Sequence, residues 1–167
     1  MKLELPLLIE ADELEKSLAC DNLLIVDISK AENYQKMHIH GAVHLEYPQI
    51  LAADKPQMGL LPDDATLAAV LSSIGIDEHT HVVAYDDEGG GRAARLLWTL
   101  EAVGHTRYSL LNGGLHAWVN EGHPHDTTAV TATPKVFTVR RNETACADTT
   151  YVLERLDNPG VDRKSVV

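Results

Sequence analysis

The stretch His81-Val82-Val83-Ala84-Tyr85-Asp86-Asp87-Glu88-Gly89-Gly90-Gly91-Arg92 decides the fold. Its first five residues form a run without alternation, the pattern of a parallel strand buried on both faces. The acidic and glycine-rich residues that follow break the run. Leu96, Leu97, Leu100 and Val103 then recur at helical spacing, closed by Gly104. Strand, glycine loop and helix in that order are part of a βαβ unit.

The same alternation extends outward in both directions. Upstream, Leu7-Leu8-Ile9 reads as a strand, and Asp12-Glu13-Leu14-Glu15 as a capping box opening a helix that ends near Cys20. Leu23 to Asp27 is a second buried strand, and Ser29-Lys30-Ala31-Glu32 a second capping box. Ala42-Val43-His44-Leu45 is a short strand, and Asp54 to Pro62, with Pro56, Gly59 and Pro62, a loop. Leu67, Val70, Leu71 and Ile74 predict an amphipathic helix capped by Gly75. Downstream, Tyr108 to Leu111 is a strand and Gly114 to Glu121 a helix capped by Gly122. The predicted fold is α/β, a mostly parallel sheet of about five strands with helices on both faces.

From His125 to Lys135 the helical stripe is lost, and Thr, Ala, Val and Pro predict a linker or an extended segment on the surface. Val136 to Val139 then reads as a strand and Asp148 to Leu156 as a helix. This order repeats that of residues 7–22, but Gly160-Val161-Asp162-Arg163-Lys164-Ser165 stands where an apolar strand is due. The expected organisation is a domain over 1–126, a linker over 127–135, and the truncated start of a second repeat over 136–167.

Fourteen Lys and Arg face 25 Asp and Glu, a net charge of −11 that repels phosphate backbones and anionic lipid surfaces. Nucleic acid and membrane are therefore not expected as partners. Nor is there an apolar leader at Met1-Lys2-Leu3-Glu4 or a run of about 20 apolar residues. Cys20 and Cys146 form neither a disulfide framework nor a zinc spacing, and neither has a basic neighbour, so they read as ordinary thiols of a cytoplasmic protein.

Chemistry concentrates in the loop of Asp86, Asp87, Glu88, Gly89, Gly90, Gly91 and Arg92. Glycines before a helix N-terminus converge backbone N–H groups on one point, and Arg92 offers a cation, so the loop is a candidate anion cradle. Its three carboxylates supply negative charge to that same helix end and would repel an incoming anion. A third reading makes Asp86 and Asp87 a Mg²⁺-dependent phosphoacceptor, though the usual Thr and Lys partners are missing. His38, His40 and His44 share an extended segment without the Cys or carboxylate of a zinc pattern, and His123 and His125 flank Pro124 in a turn. All five are expected at the surface or in turns, with no metal and no cofactor. Trp98 and Trp118 are expected in the core.

Leu24-Ile25-Val26-Asp27, His38-Ile39-His40-Gly41-Ala42-Val43-His44, Val82 to Asp86 and Leu111-Asn112-Gly113-Gly114-Leu115-His116-Ala117-Trp118 together resemble the rhodanese homology domain over residues 7–126. Tyr85 to Gly91 and the Arg95-Leu96-Leu97-Trp98 helix are similar, more narrowly, to the non-catalytic N-terminal domain of tandem thiosulfate sulfurtransferases. In that family the catalytic domain carries a cysteine directly after the central strand, which holds sulfane sulfur as a persulfide. Here Asp86 takes its place, and a carboxylate is too hard a nucleophile for that chemistry. Arg92 stands six residues on, the cysteine-to-arginine spacing of phosphatase relatives of the fold, but without the cysteine.

The resemblance thus implies a structural and interface role in a thiosulfate or 3-mercaptopyruvate sulfurtransferase, with no sulfur transfer by this chain alone. Its expected partner is a C-terminal catalytic rhodanese domain, or a second copy through the same exposed face. Two alternatives remain at this point: a free-standing protein-binding module that uses the Asp86 to Arg92 loop, and the Mg²⁺-dependent enzyme.

Overall fold

A computed structural model describes residues 3–160 of the chain. The elements run β1 (Leu8–Ile9), α1 (Ala11–Ser17), β2 (Leu23–Asp27), α2 (Ala31–Lys36), β3 (His38–Ile39), β4 (Val43–His44), β5 (Ala52–Asp54), β6 (Gln57–Leu60) and α3 (Asp64–Ser73). They continue as β7 (His81–Tyr85), α4 (Gly91–Ala102), β8 (Tyr108–Leu111), α5 (Gly114–Asn120), β9 (His125–Asp126) and α6 (Thr149–Leu153), with short 3₁₀ turns at Tyr47–Ile50 and Glu143–Ala145.

Five strands form one parallel sheet in the order β1-β8-β7-β2-β4. The run at β7 is apolar throughout because its successive side chains feed two cores. Val82 and Ala84 join Val26 beneath α3 and α4, whose Leu67, Leu71, Leu96 and Leu100 are fully buried. Val83 and Tyr85 face the other way, with Ile25, toward Leu14 of α1 and Leu115 and Trp118 of α5. Full burial of a Val, Leu, Ile or Phe side chain in either core gains roughly 1.5–3 kcal/mol. The doubly covered parallel sheet read from the sequence is the sheet observed.

Local details depart from the sequence reading. The first helix starts one residue before Asp12, with Glu10 at its N-cap and no side-chain cap. Ser29 does not cap α2, where Lys30 holds the N-cap position. The Ser29 hydroxyl donates instead to Asp27 Oδ1 at 2.5 Å, a buried acceptor that outcompetes the solvent-side helix end. The predicted loop over Asp54 to Pro62 contains an antiparallel hairpin, β5 with β6. It is exposed, and a turn-rich composition conceals it. The predicted caps Gly75, Gly104 and Gly122 all adopt positive φ.

Val136 to Val139 is not a strand. Residues 128–142 instead run as an extended strap along α3 and α4, held by backbone bonds from Lys135 to Ser72, Arg140 to Val103 and Asn142 to Ala102. Phe137 of this strap is only 7% exposed and completes the core under α3 and α4. Gly104 is needed for the fit, since a Cβ there would collide with the Arg140 carbonyl oxygen. Val161 to Ser165, where the sequence breaks the expected second repeat, lie outside the described residues.

Candidate functional site

The site forms where β7 and β2 end, at the carboxyl edge of the sheet, which is where ligands of open α/β folds bind. β7 stops at Tyr85 because Gly89 and Gly90 take φ of +93° and +91°, a turn that residues with a Cβ rarely make. Gly114 permits the opposite wall. A side chain there would strike the Asp86 carbonyl oxygen, to which Leu115 N–H donates at 3.2 Å.

Asp86 is 1% exposed and its side chain fills the centre of the loop. Oδ1 accepts from the backbone N–H groups of Glu88 (2.9 Å) and Gly90 (2.7 Å), and Oδ2 from those of Arg92 (2.9 Å) and Ala93 (3.0 Å). Burial by itself would raise the Asp86 carboxyl. The four donors, together with the N-terminal field of α4, outweigh it and hold the group below the usual carboxylate range. The loop does converge amides as an anion cradle does. Its anion is Asp86.

Asp87 and Arg92 have partners as well, although the buried Asp87 Oδ1 has none among the described residues. Asp87 Oδ2 accepts from Asn33 at 2.6 Å, and its carbonyl oxygen lies 3.1 Å from His116 Nε2. Arg92 pairs with Glu88 at 3.0 Å and lies 5.4 Å from the centre of the Tyr47 ring. A carboxylate offers about four lone-pair positions, and Asp86 uses four. That leaves the Mg²⁺ phosphoacceptor reading without an available Asp86 oxygen.

Beside the loop lies a buried polar cluster that the sequence reading did not single out. Asp27, in register with Tyr85 across the sheet, is fully buried, and burial raises its carboxyl despite hydrogen bonds from Ser29. The Tyr85 hydroxyl accepts from Ile39 N–H at 3.0 Å and is pushed far above its ordinary value by burial and by Asp27. Tyr34 donates to the Ala42 carbonyl at 2.9 Å and accepts from Val130 N–H at 3.0 Å, tying α2 to the strap. A charged residue closing an apolar strand was the available signal.

The histidines correct the sequence reading in part. His38 is fully buried, stacked on Tyr34 at 3.9 Å with Nδ1 2.7 Å from the Tyr34 carbonyl oxygen. His44 stacks on the same ring at 4.8 Å, while His40 is exposed beside Asp126. These three therefore do not converge. His123 is buried against Trp118 rather than exposed in a turn, because α5 and α1 close over it. His125 is exposed as expected. Trp118 is in the core, but Trp98 is 37% exposed on the outer side of α4, where its Nε1 donates to the Ala145 carbonyl.

Neither cysteine reaches the loop. Cys20 lies in the turn before β2, at the amino edge of the sheet, and Cys146 is exposed beyond the strap. A cavity of about 560 Å³ opens at that amino edge too, lined by Asp77, His105, Arg107 and Phe137 among others. It faces away from the Asp86 loop. No helix among the described residues is long and apolar enough to cross a membrane.

Comparison with known proteins agrees with this geometry. Residues 10–121 match the rhodanese-like domain. The chain is 39% identical over 123 residues to thiosulfate sulfurtransferase of Pseudomonas aeruginosa, and 36% identical over 154 residues to that of Azotobacter vinelandii. These matches take in 74% and 91% of this chain but 45% and 56% of the relatives, so the chain spans about half their length. Among solved structures, SseA from Escherichia coli, a 3-mercaptopyruvate sulfotransferase with the rhodanese fold, superposes with a TM-score of 0.82 at 25% identity. That match covers 89% of this chain and 61% of SseA. With the sheet order, the glycine loop at the end of β7 and the sequence match all in agreement, the chain belongs to the rhodanese-like domain family.

Proposed function

We propose that this domain serves a thiosulfate or 3-mercaptopyruvate sulfurtransferase as its non-catalytic half, with Asp86 standing where the catalytic half carries its cysteine. The observation that carries this reading is the Asp86 carboxylate saturated by four backbone N–H groups. A persulfide-forming site needs a polarisable thiolate at the focus of such donors. Here the focus is occupied by a hard, ionised group that cannot accept sulfane sulfur. The physical role is then to support a C-terminal catalytic rhodanese domain by packing against it. Exposed Tyr151, Val152 and Leu153 of α6, beyond the strap, offer the apolar surface for that contact.

The test measures thiocyanate formed from thiosulfate and cyanide by the purified chain, with a parallel sample alkylated at Cys20 and Cys146. The expected result is no rate above buffer. A rate abolished by alkylation overturns the proposal. Titration with a separately produced C-terminal rhodanese domain checks the supporting role, which requires a stable complex, and an absence of binding at tens of micromolar rejects it.

A further inference from the structure

Away from the loop, α1 and the end of α5 bring a second set of chemical groups together. His123 has a side chain 6% exposed, held against Trp118 with ring centres 4.6 Å apart. Its Nδ1 lies 3.1 Å from Glu15 Oε2, so the ring donates its Nδ1 proton to that carboxylate and leaves Nε2 on the side of Asp12 and Glu121. This buried Nε2 has no hydrogen-bond partner. It points between Asp12 Oδ1 and Glu121 Oε2, each 3.5 Å away. Among the described residues, Asp12, Glu121 and His123 are the group whose ligand atoms all lie within 4.8 Å of one another.

We propose that Asp12, Glu121 and His123 form a binding site for a divalent transition-metal ion of the Zn²⁺ type. The spacing is the first argument. A distance of 3.5 Å is long for an N–H···O bond, whose usual length is about 2.9–3.0 Å. It matches the edge of a ligand tetrahedron around Zn²⁺, about 3.4 Å for metal–ligand distances of about 2.1 Å. The second argument is the outer contact. A carboxylate that receives the proton of the other ring nitrogen fixes the tautomer and orientation of a metal-ligating histidine, the part Glu15 plays here.

Charge supplies a third argument. Three carboxylates, Asp12, Glu15 and Glu121, surround one imidazole, and Glu121 sits at the carboxyl end of α5, where the helix field disfavours an anion. A dication at the centre removes both penalties. The imidazole in the donor set selects a Zn²⁺-like ion over Mg²⁺ or Ca²⁺, which prefer oxygen alone. Asp12 and Glu121 are exposed, so the remaining coordination position faces solvent and is open to water or an external ligand. A bound ion would also tie the first helix to the end of the last helix of the sheet.

The test titrates Zn²⁺ into the metal-free chain by calorimetry and follows the d–d absorption of Co²⁺ in parallel. Wild type is expected to bind one ion with high affinity and to unfold at a higher temperature when loaded. The Asp12→Asn/Glu121→Gln double variant changes exposed side chains only and should fold normally while losing at least tenfold in affinity. His40→Gln, which alters a different His–Asp pair, should bind as wild type does. Equal affinity in wild type and the double variant overturns the proposal. So does absence of binding below 100 micromolar Zn²⁺. Competition by Mg²⁺ at equal concentration would overturn the assignment of the imidazole as ligand.

Discussion

Asp86 Oδ2 accepts a hydrogen bond from the Arg92 backbone N–H at 2.9 Å, while the Arg92 guanidinium turns aside to Glu88 at 3.0 Å. A spacing of six residues thus joins a side-chain acid to a backbone donor, and leaves the arginine head outside the cradle. The same acid satisfies two donors of the loop and two of the first turn of α4, so one residue both shapes the loop and caps the helix.

Removal of that acceptor should therefore be costly. Asp86→Ala leaves four partly buried N–H groups without a partner, of which water can reach some. A loss of about 2–4 kcal/mol follows from the cap and unsatisfied-donor costs. Asp86→Asn should be nearly as damaging, because its amide N–H groups would face donors on one side. Urea denaturation measures both, and a loss below about 1 kcal/mol for Asp86→Ala would show that the donors find other partners.

An occupied cradle has no place for a second anion. Thiosulfate or sulfate at tens of millimolar should leave the unfolding temperature of wild type unchanged relative to chloride of equal ionic strength, since a ligand stabilises only a state that binds it. Arg92→Ala should leave this insensitivity intact. A saturable rise in wild type that Arg92→Ala abolishes would mean that the guanidinium does serve an external anion.

Stability should fall with acid well above the carboxylate range. Burial, with Arg107 and His105 nearby, lowers His81 to about 4 from an ordinary 6.5, and its Nε2 lies 2.9 Å from the Ser109 hydroxyl. A histidine lowered on folding is neutral in the native state and protonated first in the unfolded one. Its stabilising contribution is complete above pH 6.5 and is lost as pH falls toward 4, by at most about 3 kcal/mol. Denaturant titrations between pH 7.5 and 4 should show this slope in wild type and a shallower one in His81→Gln. Equal slopes would assign the acid loss elsewhere.

The strap should be a separable element of stability. Phe137→Ala opens the core under α3 and α4 and should cost about 3–5 kcal/mol. Lys135→Met removes the 3.1 Å ion pair with Asp77, whose carboxyl is held near 2 by hydrogen bonds that outweigh burial. Because that pair is partly exposed, the cost should be about 0.5–1 kcal/mol. Limited proteolysis should cut residues 128–142 sooner in Phe137→Ala than in wild type. Unchanged cleavage would mean that the backbone bonds alone hold the strap.

The sequence alone determined the sheet, because burial of β7 and β2 on both faces demands apolar runs, and the helices around them announce themselves by period. It also located the glycine loop with Asp86, Asp87 and Glu88 beside the start of α4, since the strand end, the glycines and the helix start are contiguous in the chain. That Asp86 takes the four amides was decided by the tertiary structure. Tertiary structure decided whatever depended on segments far apart in sequence. His123 reads as a turn residue until α1 brings Glu15 and Asp12 to it across more than a hundred residues. Val136 to Val139 has the composition of a strand, yet the surface it meets is that of α3 and α4, where Phe137 joins the core and the backbone bonds to Ser72, Val103 and Ala102. Trp98 follows the helical stripe of α4 but falls on its outer side, and only the return of the chain at Ala145 gives its indole N–H a partner. Local patterns carry information about faces and turns. Which distant groups meet across those faces is set by packing, and no pattern within one segment encodes it.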